Sequence, residues 1–352
     1  MNAMFNDKIV KATELTRAGR LKEALALLRG PAAPAPAPAQ KLNLLDRLAA
    51  FTRRAPAPMP DMLTPALTPA PTPTPPRAPG ARFEPRSFTN AHGTRAYKLF
   101  IPSGYHGQPV PVVVMLHGCT QSPDDFAAGT RMNELGEANT ILVAYPAQSK
   151  RANLQKCWNW FNPADQTRDR GEPAIIAGMV SQIKNEFAVK PDKIFAAGLS
   201  AGGALAAILG ATYPDLFAAI GVHSGLACGA ASDMQSAFAA MRSGGAKAKP
   251  GNHPVPTIVF HGDKDHTVNA ANAEQVITQA EAGSLFTSAV TETPGYTRTI
   301  ETGPGGAPIL EKWILHGAGH AWSGGSPAGT FTNPAGPDAS REMLRFFLES
   351  RK

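Results

Sequence analysis

The chain has 352 residues, 43% of them hydrophobic, and a formal net charge of +7, which is enough apolar material for one large domain with additions. No run of about 18 apolar residues predicts a membrane-spanning helix, and no zinc-finger spacing or aromatic platform predicts nucleic-acid binding. The charge is uneven, since residues 1–80 hold 11 Lys and Arg against 5 Asp and Glu, whereas the other 272 residues hold 23 against 22.

Residues 1–80 differ in composition from the rest of the chain. Short helical patterns over 4–16 and 21–28 predict a helical hairpin in residues 1–30. Residues 31–80 contain 14 prolines and predict an extended linker, interrupted by a short amphipathic helix over 42–54. We expect residues 1–80 to mediate a homodimer or a contact with a granule or partner. Because charges occur throughout the first 30 residues, no signal peptide is predicted, and we expect the cytoplasm, or the periplasm or exterior if a leader was removed.

From residue 81 onward strands and helices alternate, which predicts an α/β catalytic domain over 81–352. Strands are predicted over 95–101, 110–116, 140–145, 193–197, 218–223, 257–260 and 309–315. Helices are predicted over 126–138, 172–187, 201–213, 269–281 and 338–350, with a long loop over 146–171. This alternation indicates a doubly wound, mostly parallel sheet with catalytic loops at the carboxyl ends of its strands.

The segment Gly198-Leu-Ser-Ala-Gly202 lies between a predicted strand and a small-residue helix. Gly-x-Ser-x-Gly in that context is typical of a nucleophile elbow, in which a sharp turn exposes the serine hydroxyl. The two glycines are needed because side chains there would strike the strand or the helix. We therefore expect Ser200 to be a catalytic nucleophile.

A serine nucleophile needs a base and an orienting carboxylate, which follow it along the chain in this type of enzyme. Asp263 and Asp265 both follow the strand at 257–260, and we favour Asp265 because it lies further into the loop. His316 and His320 follow the strand at 309–315, and we favour His320 because glycine flanks it.

A tetrahedral intermediate also needs two backbone N–H donors for its oxyanion. One is expected from Ala201, directly after the nucleophile. The other is expected from the loop Leu116-His-Gly-Cys-Thr120, and we assign it to Cys119. No cofactor is required for this chemistry, and the cysteine spacings predict no metal site.

Aromatic side chains are concentrated in two loops near these residues. The loop 146–171 carries Trp158, Trp160 and Phe161, and Trp322 follows His320 by two residues. We expect these four side chains to bind substrate, either as an acyl pocket or as a flat apolar surface for a polymer. The alternative is that at least one ring is part of the core.

The three cysteines are Cys119, Cys157 and Cys228. Cys157 and Cys228 lie in loops on either side of the nucleophile segment and could form a disulfide. A cytoplasmic location argues against a permanent disulfide, so both states of this pair stay open.

With these motifs in order, the region from about Phe83 to the C-terminus resembles the poly(3-hydroxybutyrate) depolymerase family of esterases, near the feruloyl and acetylxylan esterases. The segments that carry the resemblance are 116–121, 157–161, 198–203, 261–265 and 319–324. The resemblance implies an α/β-hydrolase fold, a triad of Ser200, Asp265 and His320, and Cys119 at the oxyanion hole. It also implies a Cys157–Cys228 pair.

The sequence therefore predicts a serine esterase or depolymerase that acts on hydroxybutyrate-type polyesters, their oligomers or short-chain esters. Three alternatives stay open: a feruloyl or acetylxylan esterase, an amide hydrolase of a polyanionic polymer, and a catalytically silent interaction module.

Overall fold

The protein, studied as a computed structural model, is described over residues 80–245, 255–281, 287–303 and 306–350. The helical hairpin, the helix over 42–54 and the contact predicted for residues 1–80 lie outside the described residues, as does all of the predicted linker except Gly80. No helix in the described part is both long and apolar enough to cross a membrane.

Strands and helices alternate along most of the described chain. The strands are β1 (Arg82–Asn90), β2 (Gly93–Ile101), β3 (Val110–Leu116), β4 (Leu142–Pro146), β5 (Val189–Leu199), β6 (Ala219–His223), β7 (Thr257–Gly262), β8 (Thr287–Glu292), β9 (Tyr296–Thr302), β10 (Pro308–Leu315), β11 (Trp322–Ser323) and β12 (Thr332–Asn333). The helices are α1 (Pro123–Thr130), α2 (Met132–Asn139), α3 (Gly171–Glu186), α4 (Ala201–Thr212), α5 (Met234–Ser243), α6 (Ala271–Ala280) and α7 (Ala339–Glu349).

The longer strands form one sheet in the order β1-β2-β4-β3-β5-β6-β7-β10-β9-β8. The strands from β4 to β10 in this order are parallel, whereas antiparallel pairs add β1 and β2 at one edge and β9 and β8 at the other. Helices α3, α4 and α6 contribute to the apolar core on one face, and α1 and α7 contribute to the core on the other. The predicted α/β-hydrolase fold with a doubly wound, mostly parallel sheet is confirmed.

The central strands are buried on both faces, which explains why their sequences do not alternate. All seven residues of β3 and all five of β6 are buried. Because β3, β5, β6, β7 and β10 are neighbouring parallel strands, the loops that follow them meet at one edge of the sheet. The predicted catalytic residues lie at this edge.

The structure differs from the predicted elements in a few places. The helix predicted over 126–138 is two helices, α1 and α2, separated by Arg131 with a left-handed φ of 58°. The sequence analysis missed β1, α5, β8 and β9. Strand β8 is exposed along its whole length, and α5 buries only Ala237 and Ala240, so neither carries a strong apolar pattern.

Candidate active site

Ser200 lies in the sharp turn between β5 and α4. Its backbone has φ 57° and ψ −120°, a conformation that L-residues rarely adopt. A Cβ at Gly202 would lie 2.0 Å from the carbonyl oxygen of Leu116, and one at Gly198 would lie 2.4 Å from the Gly202 carbonyl oxygen. The turn therefore excludes side chains at both glycines, as the elbow motif requires. It also holds the Ser200 N–H against the carbonyl oxygen of His223, at 2.9 Å.

Asp265 and His320 are hydrogen-bonded to each other, although 55 residues separate them in sequence. His320 Nδ1–H donates to Asp265 Oδ2 at 2.7 Å, and Asp265 Oδ1 accepts the N–H groups of Thr267 and Val268. The Asp265 side chain has no exposed area. Burial raises the pKa of Asp265, but the hydrogen bonds from His320 and the two backbone N–H groups outweigh it, so the net pKa is lowered. This carboxylate is therefore charged at neutral pH and fixes the His320 tautomer.

Asp263 and His316, the alternatives to Asp265 and His320, have other roles. Asp263 is exposed and its Oδ1 accepts the N–H of Gly317 at 2.7 Å, so it shapes the turn after β10. His316 is half-buried and hydrogen-bonds Thr297 Oγ1 through Nε2 at 3.0 Å. In the described chain, neither side chain is hydrogen-bonded to Asp265 or His320.

The loop that carries His320 is linked to the serine turn through His223, at the end of β6. His223 Nε2 accepts the N–H of Ser323 at 3.0 Å, while its carbonyl oxygen accepts the N–H of Ser200. No hydrogen bond to Ser200 Oγ is formed within the described residues. Such bonds often form only when substrate is bound. The structure thus brings Ser200, Asp265 and His320 to the ends of neighbouring strands.

The loop after β3 borders Ser200, because a Cβ at Gly118 would lie 3.7 Å from Ser200 Cβ. The N–H of Gly118 donates to Gln121 Oε1 at 2.8 Å, that of Thr120 to Gln155 O at 2.6 Å, and that of Gln121 to Gly118 O at 3.4 Å. The Cys119 N–H has no acceptor within the described part of the chain. It is the one backbone donor of residues 118–121 that is left for a ligand.

The disulfide of the structure joins Cys119 to Cys157, with a Cα–Cα distance of 4.2 Å. The predicted Cys157–Cys228 pair is therefore wrong, and Cys228 is a free, half-buried thiol. The sequence interpretation failed because β3 and β4 are adjacent parallel strands, so the loops that follow them meet. The disulfide links the loop after β3 to the loop after β4.

Replacing Cys157 by serine should lower the free energy of unfolding by about 2–4 kcal/mol, because the cross-link closes a loop of 38 residues. It should also lower kcat, because the loop that carries the Cys119 N–H loses its covalent support. Cys228→Ser is the matched control and should change stability by less than about 1 kcal/mol. Urea unfolding and a count of free thiols test this. Equal losses in the two variants would contradict the Cys119–Cys157 pairing.

Three of the four predicted substrate-binding aromatics are buried. Trp158, Trp160 and Trp322 are 0%, 6% and 1% exposed, and Trp158 Nε1 donates to the carbonyl oxygen of His117 at 3.0 Å. Trp322 Nε1 donates to Ser340 Oγ, and its ring stacks on that of His223. The prediction is wrong for these three rings because they are part of the core. For Trp158 and Trp322 the indole N–H has a partner inside the protein, which lets the whole side chain be buried. Phe161 is half-buried and remains a candidate.

A buried polar network, missed by the sequence analysis, supports the loop after β4. Glu172, on α3, accepts the N–H of Asn159 at 2.8 Å and is paired with Arg95 at 3.1 Å. Gln148 donates through Nε2 to Glu172 and to the Cys157 carbonyl oxygen. Burial, the largest influence, raises the pKa of Glu172. No sequence signal marks these residues, because they come from four separate segments.

His117 and His223 are fully buried next to the site, and burial lowers the pKa of His117 to about 4 and that of His223 to about 3. Both are neutral in the folded protein at pH 5, whereas in the unfolded chain they are protonated below about pH 6.5. The unfolded state therefore binds more protons, and stability falls as the pH is lowered through this range.

We expect the free energy of unfolding to fall by about 3 kcal/mol between pH 6.5 and pH 5, since each such histidine contributes up to about 1.4 kcal/mol per pH unit. The variant His117→Asn, which lacks a titrating group, should lose roughly half as much over the same range. Urea unfolding at several pH values measures both slopes. Parallel curves for the two proteins would exclude His117 as a source of the acid sensitivity.

A cavity of the described chain lies away from the candidate catalytic residues. A cavity of about 640 Å³ lies near the starts of β6 and β7, with Ile220 and Thr257 in its wall. The catalytic candidates are at the opposite ends of these strands. Within the described residues, no group of three or more His, Cys, Asp or Glu side chains is placed to hold a metal ion.

The chain is similar in sequence to known esterases and depolymerases. The family model described as "Esterase PHB depolymerase" matches residues 95–302. "Poly(3-hydroxyalkanoate) depolymerase C" of Paucimonas lemoignei is 34% identical over 266 residues, which cover 70% of this chain and 63% of that protein. "Feruloyl esterase B" of Thermothelomyces thermophilus is 31% identical over 140 residues, which cover 40% and 47%. The chain thus spans less than two thirds of the length of these curated relatives.

Among solved structures, the acetyl xylan esterase from Aspergillus awamori superposes with a TM-score of 0.60. The match covers 76% of this chain and all of that chain, at 20% sequence identity. At this identity the match shows the fold alone.

Proposed function

Because the chain belongs to the PHB depolymerase family of esterases, we propose that it is a serine ester hydrolase with Ser200 as nucleophile, His320 as base and Asp265 as orienting acid. The observation that carries the proposal is the Asp265–His320 hydrogen bond at the strand ends beside the Ser200 turn. A buried carboxylate that holds a histidine next to a strained serine is the arrangement that activates a hydroxyl group.

In the proposed reaction, Ser200 Oγ attacks the carbonyl carbon of the ester and its proton passes to His320 Nε2. The tetrahedral intermediate then breaks its bond to the alcohol oxygen, which leaves with the proton from His320. Water attacks the resulting acyl-enzyme, again with His320 as base, and releases the acid and Ser200. Asp265 keeps the His320 Nδ1 proton in place and stabilises the imidazolium that forms in each half-reaction.

The oxyanion of both tetrahedral intermediates is proposed to bind the N–H groups of Cys119 and Ala201. The Cys119 N–H has no acceptor among the residues that the structure describes. Ala201 is the first residue of α4, and the first N–H groups of a helix have no partner within it. The positive end of the α4 dipole adds to this stabilisation.

The substrate is proposed to be a polyester of the hydroxyalkanoate type, an oligomer of it, or a short-chain ester. Two exposed apolar side chains belong to segments that are hydrogen-bonded to the proposed oxyanion loop. Leu154, 83% exposed, precedes Gln155, which is hydrogen-bonded to Thr120, and Phe331, 46% exposed, follows Thr330, which is hydrogen-bonded to Gln121. Exposed apolar side chains on these segments favour an uncharged ester chain over a charged polymer.

A second candidate substrate is a feruloyl or acetyl ester of a plant polysaccharide, because relatives named feruloyl esterase and acetylxylan esterase match the same region. The polyanionic alternative has weaker support, although Lys150 and Arg151 are exposed in the loop after β4.

The disulfide supports an oxidising compartment, the periplasm or the exterior, over the cytoplasm that the N-terminal sequence suggested. The contact predicted for residues 1–80 stays a prediction.

The 352-residue chain should be assayed on hydroxybutyrate oligomers, polymer films, p-nitrophenyl butyrate, methyl ferulate, acetylated xylan and a polyaspartate amide. We expect turnover of the butyrate ester and of the oligomers. A fluorophosphonate should label the intact protein at Ser200, as identified by mass spectrometry. Absence of labelling together with absence of any ester turnover would refute the proposal and favour a silent interaction module.

A further inference from the structure

Phe331, in the loop between β11 and β12, combines two features that each cost free energy. Its backbone has a φ of 53°, in the left-handed region that bulky residues rarely adopt. It is also 46% exposed, although an aromatic side chain contributes most to stability when it is buried. Strained residues persist only where the surrounding structure fixes them, and they are concentrated at active sites and ligand clamps. An exposed and strained aromatic residue therefore points to contact with a ligand.

The backbone of Phe331 is fixed by hydrogen bonds on both sides. Asp125, on α1, accepts the N–H of Thr330 at 2.9 Å and its hydroxyl group at 2.7 Å. The Phe331 carbonyl oxygen accepts the Trp322 N–H at 2.7 Å. The Thr332 hydroxyl group donates to a carbonyl oxygen of the same loop at 2.9 Å. The positive φ is thus imposed by the residues on either side, and the Cα–Cβ bond of Phe331 points in a fixed direction.

Two hydrogen bonds join Phe331 and its neighbour to two segments of the candidate site. The Thr330 carbonyl oxygen accepts a hydrogen bond from Gln121 Nε2 at 3.1 Å, and Gln121 Oε1 holds an N–H of the proposed oxyanion loop. Trp322, the partner of the Phe331 carbonyl oxygen, is two residues from His320. Phe331 therefore belongs to a fixed loop that is bound both to the oxyanion loop and to the segment of the base.

These two segments act on different parts of an ester. In the proposed reaction, the oxyanion loop binds the carbonyl oxygen, whereas His320 gives its proton to the alcohol oxygen that leaves. The backbone of Phe331 itself pairs with the segment of His320, and only its neighbour Thr330 contacts the oxyanion loop. The part of the substrate on the Phe331 side is thus the part that continues beyond the alcohol oxygen.

We propose that Phe331 is a specificity-determining residue that contacts the alcohol portion of the ester. This inference rests on the proposed ester hydrolase function. In a hydroxyalkanoate oligomer, the alcohol portion is a further hydroxyacyl unit with an apolar side chain. Phe331 selects esters whose alcohol portion is long and apolar over esters of small alcohols. Because its backbone is already fixed, little conformational entropy is lost when substrate binds.

Three variants of Phe331 and one control separate contact with the alcohol portion from support of the fold. Phe331→Ala removes the ring. Phe331→Asn also removes it and keeps a residue type that tolerates a positive φ. Phe331→Tyr retains the ring. Phe238→Ala is the matched control, because Phe238 is 57% exposed and lies on α5, which is not hydrogen-bonded to the loop of Phe331 in the described chain.

Two series of substrates are compared: butyrate esters of methanol, butanol and hexanol, and methyl esters of acetate, butyrate and hexanoate. For hexyl butyrate, Phe331→Ala and Phe331→Asn should lower kcat/KM by about 10-fold, mainly through KM, as expected for loss of an apolar contact. For methyl butyrate, both should stay within about twofold of the wild type. Phe331→Tyr should stay within about threefold on all esters, and Phe238→Ala should match the wild type. Melting temperatures establish that each protein is folded in the assay.

The proposal is overturned if the folded ring-less variants lose the same factor on methyl and hexyl butyrate, because a structural role would affect all esters alike. It is also overturned if the loss grows with the length of the acid instead of the alcohol, or if Phe238→Ala shows the same selective loss. Absence of turnover of every ester by the wild type would instead refute the proposed function.

Discussion

Replacing Ser200 by alanine should lower kcat for ester substrates by roughly 10⁴–10⁶-fold, because no acyl-enzyme can form without the hydroxyl group. The strained turn is set by the glycines and by the hydrogen bond from the Ser200 N–H to His223, and the substitution leaves both unchanged. The fold should therefore be retained, with a melting temperature close to that of the wild type. Steady-state kinetics with p-nitrophenyl butyrate measures the loss.

Ser181→Ala is the control for this experiment. Its hydroxyl group lies on α3 and donates to the carbonyl oxygen of Ala177, and we expect full activity. Fluorophosphonate labelling should disappear in Ser200→Ala and persist in Ser181→Ala. If Ser200→Ala retained more than about 1% of wild-type kcat, another residue would have to be the nucleophile.

A large effect on stability is expected at Glu311, on β10. Its side chain has no exposed area and accepts hydrogen bonds from Arg298 on β9, from Arg345 on α7 through both oxygens, and from Trp313 Nε1. One carboxylate therefore joins the C-terminal helix to the edge of the sheet. Its removal takes this acceptor from Arg298 and from the Trp313 N–H, and leaves Arg345 with only its partners on α7, Glu342 and Glu349.

Glu311→Ala should lower the free energy of unfolding by about 3 kcal/mol, the low end of the cost of removing one partner of a buried ion pair. The lower value applies because the side chains of Arg298 and Arg345 are 23% and 29% exposed, so water partly replaces the lost acceptor. Glu349→Ala, which removes a half-exposed partner of the same Arg345, should cost less than about 1 kcal/mol. Urea unfolding measures both. Similar losses in the two variants would show that burial does not determine how much each carboxylate contributes to stability.

The serine turn illustrates what could be predicted before the structure. Its requirements are local: a strand, two glycines and a helix within a few residues of Ser200. The preference for Asp265 over Asp263 followed from its distance beyond a strand end, and that for His320 over His316 from the glycine that flanks it. The structure pairs the two preferred residues. Their catalytic roles stay predictions until the kinetic experiments are done.

The aromatic loops illustrate what could not be predicted. Whether Trp158 and Trp322 face solvent depends on the partners of their indole N–H groups, the His117 carbonyl oxygen and Ser340 Oγ, which are 41 and 18 residues away. The buried network around Glu172 could not be predicted for the same reason, because its hydrogen bonds join segments that are distant in the sequence. Hydrogen bonds between distant segments leave no periodic pattern in a sequence.

The sequence by itself determined the alternation of strands and helices, the strained serine turn and the family, because each depends on short segments with a strong local pattern. The tertiary structure decided the pairing of Cys119 with Cys157, the burial of three tryptophans and the orientation of the Gly118–Cys119 peptide. The disulfide and the peptide orientation depend on the strand order β4-β3-β5, which places the loops after β4 and β5 on either side of the loop after β3. Strand order is set by the packing of the whole sheet, and no single segment carries it.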